Sequence, residues 1–405
     1  MLRSIRSGTF ILDQATSSII SFLLMTTLAK TGGTHLVGTV AVLQSILLIA
    51  LTVARSLSLD VWASRGARSE ERKSATATAL LFPILSAAVL GPVIWLMGAE
   101  QTTVMLYWLA VPAVLVLDTV RVLLLHADKS WLSLVCQLVT LSGLVIAAIV
   151  ANDPAVSMGI YTTGVIFSCI VGFTGLRMMP PLPSPKYAVQ HKQRSLPFLA
   201  EVSMGSIVQQ ILLLLLAGLS SIQTVGEIRL AQTMLGPMSI IHAGISPQIL
   251  RRLGQKQDST VSEITRSGIK SGWILASISF FGVIALVIVL NIKVSASTIL
   301  VHIVGAAGSG ISPVIIACGL ALAFNGVVLG TGVAARVVGL TTRLNKTRVF
   351  VIPIQIAIIC FAALSNVPFV AAAGFALTAI ITALISIWVL RTDSKAPSQV
   401  VRLTP

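Results

Sequence analysis

Residues 12 to 66 read LDQATSSIISFLLMTTLAKTGGTHLVGTVAVLQSILLIALTVARSLSLDVWASRG, and this stretch decides the architecture. It holds two apolar runs parted by a short polar turn. At 1.5 Å per residue, a run of about 20 residues spans a hydrocarbon core of about 30 Å. Runs of this kind recur along the chain and predict twelve spans, at residues 9–29, 36–57, 75–97, 104–125, 131–151, 155–176, 198–219, 226–249, 268–291, 311–334, 349–363 and 367–390. Hydrophobic residues make up 55% of the chain and charged ones 10%, with a mean hydropathy of +0.95. A soluble domain of this composition would expose large apolar patches to water. The expected fold is an all-α polytopic membrane protein with about twelve transmembrane helices in two six-helix lobes.

The cations alternate between the connections. Arg3 and Arg6 precede the first span; Arg65, Arg68, Arg72 and Lys73 fall in the second connection, Arg121 and Lys129 around the fourth, and Arg177, Lys186, Lys192 and Arg194 in the sixth. Arg251, Arg252, Lys256, Arg266 and Lys270 continue the series in the eighth connection, and Arg336, Arg343, Lys346 and Arg348 in the tenth; the tail adds Arg391, Lys395 and Arg402. The opposite side keeps Lys30, Lys293 and Arg229. The positive-inside rule then places both termini in the cytoplasm of a cell whose inner membrane holds the chain. The net charge of +15 is spread over these short segments and not gathered on one face, which argues for anionic headgroups as neighbours and against nucleic acid.

The quoted stretch also repeats. Sliding it until Asp13 meets Glu201 aligns Ser18, Val37, Gly38, Gln44, Ser58 and Gly66 with Ser206, Val225, Gly226, Gln232, Ser246 and Gly254, without a gap. Six spans return the chain to its starting side, so the halves share one orientation, a pattern typical of transporters. The expected domains are a lobe at 1–176, a basic, proline-rich cytoplasmic strap at 177–197, a second lobe at 198–391 and a tail at 392–405.

A charge inside a span costs on the order of 3 kcal/mol and needs a partner, a watery cavity or the interface. Asp13, one turn into the first span, and Arg55, near the inner end of the second, have matched depths and form an expected pair. Glu201 and His242 hold the related places in the second half. On this reading Arg55, with Arg121 and Arg336 at the inner ends of the fourth and tenth spans, grips an anionic headgroup, since a guanidinium binds phosphate bidentately and stays charged. Snorkelling to the interface would explain the same residues. Gln14, Gln44 and Gln232 line a cavity or tie helices together, and Arg229 receives charge on the far side. Gly326 and Gly330 make a small face for close helix packing. There is no Walker sequence, no metal-ligand spacing and no paired-cysteine motif, so neither cofactor nor metal is expected.

The opening stretch resembles the first two helices of polysaccharide flippases of the Wzx type, which begin with an acidic residue and Gln, then a small polar face, then a loop with Gly. The segment VPAVLVLDTVRVLLLHADKSW, residues 111–131, is similar to their fourth helix. Spans and repeat match the multidrug, oligosaccharidyl-lipid and polysaccharide (MOP) exporter superfamily; its lipid II flippases resemble the chain less, because they usually carry extra C-terminal helices. The resemblance implies an alternating-access flippase, not an enzyme, that moves a polyprenyl-pyrophosphate-linked oligosaccharide for cell-surface polysaccharide synthesis, with membrane lipids as surroundings and H+ or Na+ as coupling ion. Its rivals are a cation-coupled multidrug exporter of the same superfamily, a membrane glycan polymerase or glycosyltransferase, and a non-transporting envelope scaffold. The short outer connections disfavour the enzymes.

Overall fold

The computed structural model describes residues 2–64, 69–96, 102–127, 129–150, 152–254, 260–294, 297–308 and 310–393. The cationic positions Arg65, Arg68, Lys256, Lys395 and Arg402 lie outside the described residues, as do the side chains of Arg3, Arg6, Arg194, Glu201, Arg251 and Arg252. Two compact units emerge from packing, Met1–Leu214 and Leu215–Pro405.

In the first unit α1 (Leu2–Ala54) carries the first span and most of the second. The two meet at Gly33, where φ 70 suits a residue without Cβ and turns the chain. The repeat sets Gly33 opposite Ser221, which caps α11 (Ile222–Met234) with its side chain on the Thr224 amide, so both halves turn at related positions. The second span does not end as an α-helix. Arg55–Leu59 form a π-helical turn in which the Asp60 amide reaches back to the Arg55 carbonyl, and α2 (Asp60–Ser64) follows.

The third span is α3 (Ser69–Ala79) with α4 (Leu81–Leu96). It breaks at Leu80 because Pro83 has no amide to donate and its ring crowds the carbonyl four residues back. Next come α5 (Thr102–His126), α6 (Ser130–Val150) and α7 (Pro154–Leu176). Hydroxyls inside the spans turn back on their own helix: Thr16 on the Leu12 carbonyl, Ser45 on Ala41, Thr162 on Met158. Each such bond satisfies a hydroxyl that lipid could not.

The proline-rich stretch is extended and then forms α8 (Lys186–Gln190) and α9 (Lys192–Val202). It is pinned to the first unit. The Ser184 amide and carbonyl bond Ala77 and the Thr78 hydroxyl at 3.0 and 2.7 Å, and the buried Tyr187 donates to Glu71 at 3.1 Å. A second π-helical turn, Ser203–Ile207, joins α9 to α10 (Val208–Leu219) in the seventh span. The repeat does not place it opposite the first.

In the second unit the eighth span is α11 with α12 (Gly236–Gly254), broken at Leu235 because Pro237 cannot donate. The ninth, α13 (Val261–Leu290), starts earlier than hydropathy predicts, since the Thr260 and Glu263 capping box adds a polar first turn. A two-residue β-hairpin, β1 (Lys293–Val294) with β2 (Ser297–Thr298), and α14 (Ile299–Val304) lead to α15 (Ser312–Val337), α16 (Thr341–Leu364) and α17 (Pro368–Asp393). Among the described residues, nine helical runs are long and apolar enough to cross a membrane, the first holding two spans; the seventh and eighth spans, interrupted as above, complete twelve.

Gly326 and Gly330 act as helix-packing residues. A Cβ at Gly330 would lie 2.6 Å from the Gly268 carbonyl oxygen and from the Gly272 Cα, so α13 and α15 touch backbone to backbone. At Gly332 a Cβ meets only the Arg348 guanidinium, at 4.0 Å. Gly330→Val is expected to lower stability by at least the roughly 1–3 kcal/mol of an overpacked core, and Gly332→Val to leave it nearly unchanged. Melting curves of the detergent-purified variants read the difference; equal midpoints would reject the close contact.

Candidate functional site

Four helical segments of the first unit bring six polar side chains into one chain of contacts. Arg55 opens the π turn, and its Nε donates to Asp118 Oδ2 of α5 at 2.6 Å while Nη2 binds Oδ1, a bidentate pair. One turn along α5, Arg121 approaches Asp118 Oδ1 with Nη1 at 3.9 Å and donates from Nη2 to Asp13 Oδ2 at 2.5 Å. Ser133 of α6 donates to Asp13 Oδ1 at 2.8 Å. The Gln137 amide, turned so that its oxygen faces the guanidinium, accepts from Arg121 Nε at 2.6 Å and Nη1 at 2.9 Å.

Exposure along this relay is lowest at Asp13 and highest at Arg55. The side chains of Asp13, Arg121, Asp118 and Arg55 are 1%, 12%, 9% and 37% exposed. Asp13 and Arg121 are therefore locked into the helix packing. Arg55 is the member that meets solvent, over a cavity of about 240 Å³ inside the first unit. Gln14, Ser17, Ser21, Gln44, Asp118, Arg121, Gln137, Tyr107 and Tyr161 line it, together with leucines of α1. Tyr107 precedes Asp118 by eleven residues on α5, roughly 16 Å along the axis, so a charged end is separated from an aromatic, hydroxyl-bearing end.

The expected pairing of Arg55 with Asp13 is thus corrected. Each takes a different partner, Asp118 and Arg121. Depth along a helix set the two at one height, but their azimuths differ: Asp13 turns toward α5 and α6, and the π turn aims Arg55 at α5. Asp118 was the missing acid, and its signal was present, since an acid three residues before an arginine in an apolar helix shares a face with it. Ser133, Gln137, Tyr107 and Tyr161 carry no such signal.

Of the remaining expected residues, Gln14 and Gln44 line the cavity. Those of the second unit do not form a comparable group among the described residues. The Arg229 guanidinium donates to Gln232 at 3.3 Å on α11. His242, buried in α12, is paired through Nε2 with the Ser279 hydroxyl of α13 at 2.7 Å; the Glu201 side chain, expected as its acid, is outside the described residues. Arg336 is exposed at the last turn of α15, whereas Arg121 is held in the relay of the first unit.

No protein-family model matches the chain, and no curated protein matches it in sequence. Solved structures do match. The chain is similar to the lipid II flippase MurJ in an inward closed conformation, with TM-score 0.73 and 12% identity over 96% of this chain and 87% of that one. It is also similar to an inward-facing multidrug resistance MATE family transporter of the MOP superfamily, with TM-score 0.66 and 11% identity over 95% and 96% of the two chains. A MOP superfamily transporter from Pyrococcus furiosus follows at TM-score 0.56 and 11% identity over 97% and 95%. At these identities the likeness is one of fold: the helices have the two-lobe, twelve-helix arrangement of MOP transporters.

Proposed function

We propose that the chain is a flippase that turns a polyprenyl-pyrophosphate-linked oligosaccharide from the inner to the outer leaflet of the cytoplasmic membrane by alternating access, with residues 1–176 and 198–391 as its lobes and 177–197 as the strap. The observation that carries this reading is the Arg55 guanidinium, half-exposed over a polar cavity inside apolar helices and held there by one carboxylate. Its bidentate bond to Asp118 has the geometry a phosphate would take, so an arriving diphosphate exchanges for the carboxylate. Arg121 stays fixed by Asp13, and Gln14, Gln44, Gln137, Tyr107 and Tyr161 supply hydrogen bonds for sugar hydroxyls. The fold likeness to a lipid II flippase supports the same class.

The test is depletion of the chain in its own cells. Its lipid-linked glycan should accumulate and stay closed to a membrane-impermeant glycosidase added outside. Glycan that still reaches the outer leaflet at the normal rate would end the proposal. A second reading, cation-coupled drug export, draws on the buried carboxylate Asp13 beside the cavity and on the likeness to MATE transporters. Drug sensitivity on depletion with unchanged glycan would select it.

Both termini are proposed to be cytoplasmic, from the cation alternation. Ser69, the first residue of α3, and Asn152, in the bend between α6 and α7, are both exposed. In intact cells Asn152→Cys is expected to react with an impermeant maleimide and Ser69→Cys only after lysis; the opposite labelling would invert the topology.

A further inference from the structure

The first unit has a second, apolar opening on its surface. It is a groove of about 700 Å³ between α5 and α7, within the range of about 300–1,000 Å³ that small-molecule ligands fill. Ala113 and Val116 form one wall, Ile170 and Phe173 the other, and Arg177 and Met179 close one end. The side chain of Ile170 on α7 is 57% exposed, as expected of a face turned to hydrocarbon.

We propose that this groove seats one acyl chain of an anionic phospholipid whose phosphate is held by Arg177. Length is the first argument. From Ile166, where the groove begins on α7, to Arg177 is eleven residues, roughly 16 Å along the axis, about half of a 30 Å hydrocarbon core. That is the reach of a chain from a single leaflet, with its headgroup at the Arg177 end. Charge is the second. Arg177 is exposed there, and Lys129 is anchored to the Gly175 carbonyl at 2.7 Å at the same end of α7. Neither forms an ion pair with a carboxylate of the described residues. A cation in the lining of an apolar slot, with a second at the same end of the helix, matches a phosphate that carries net negative charge better than a zwitterion.

The backbone is the third. Arg177 occupies the left-handed position that ends α7, with φ 51; its amide bonds the Thr174 carbonyl at 3.0 Å and the next amide bonds Phe173 at 3.3 Å. Glycine is the usual residue in this cap, so the arginine here holds a backbone conformation that costs it more than it would cost glycine. The cap sends the chain straight out of the helix and leaves the guanidinium beside the mouth of the groove.

The full-length protein, purified in detergent and titrated separately with phosphatidylglycerol and phosphatidylcholine, is read by native mass spectrometry. One phosphatidylglycerol is expected to bind at least about fivefold more tightly than phosphatidylcholine. Arg177→Gly fits φ 51 and removes the charge, so it should erase the preference without a folding defect. Ala113→Phe, its fold checked by size-exclusion chromatography, should fill the groove and remove the tight site for both lipids. Lys186→Ala, outside the groove, should change neither. Undiminished selectivity in Arg177→Gly, or an intact tight site in folded Ala113→Phe, would overturn the assignment, as would displacement of the lipid by inorganic phosphate alone.

Discussion

Asp118→Ala should be the most damaging single substitution in the first unit. It leaves Arg55 without its bidentate acceptor and Arg121 with Asp13 as its remaining carboxylate. Removing one partner of a buried pair costs about 3–5 kcal/mol, since the surviving charge stays out of water. Arg55 is partly exposed, so the lower end applies to its share. Membrane-inserted protein should therefore fall severalfold. Arg55→Ala with Asp118→Ala should recover much of the abundance while leaving transport dead, because the double variant buries no orphan charge but has lost the headgroup ligand. A double-mutant cycle on detergent melting midpoints reads the coupling. Additive losses would show that the contact contributes nothing. Charge reversal, Arg55→Asp with Asp118→Arg, separates stability from function further: the pair can re-form, while the cation meets the cavity from α5.

The other large effect concerns energy. The proposed carrier must draw on the membrane potential or on an H+ or Na+ gradient. One elementary charge crossing the whole potential is worth about 2.3 kcal/mol per 100 mV, a bias of roughly 50-fold between two balanced conformations. Ionophores that collapse potential and gradients at constant ATP should stop the appearance of lipid-linked glycan outside. Reconstituted vesicles with an imposed potassium diffusion potential should restore transport in one direction. Flipping that continues at full rate without any gradient would reject coupling and leave a passive scramblase.

The spans themselves were readable from hydropathy, because a helix in lipid has to be long and apolar whatever it packs against. The polar turn between the first two spans was readable too, and the structure places it at Gly33. What sequence could not supply was azimuth. Helices apolar around nearly their whole circumference do not reveal which side meets which neighbour, so Asp13 and Arg55 could be set at one height but not on facing sides. The breaks at Leu80 and Leu235 have prolines as local causes, whereas the π turn at Arg55–Leu59 has no sequence signal we can identify. Close packing of Gly330 on Gly268 and Gly272 was foreseeable from small residues four apart, but their partner helix was not.

A π turn is an α-helix with one residue too many. The segment Arg55–Leu59 thus holds an insertion in the interior of a span, where length is normally fixed, and α2 beyond it is rotated by about 100° from the direction an unbroken helix would give. A single-codon insertion is the smallest change that produces such a turn. Homologues should fall into two length classes, with the gap inside the second span and not in a loop. Removing Ser56 would return the helix to the shorter class and swing Asp60 and Trp62 to another side of the lobe, while the residues before Arg55 kept their places.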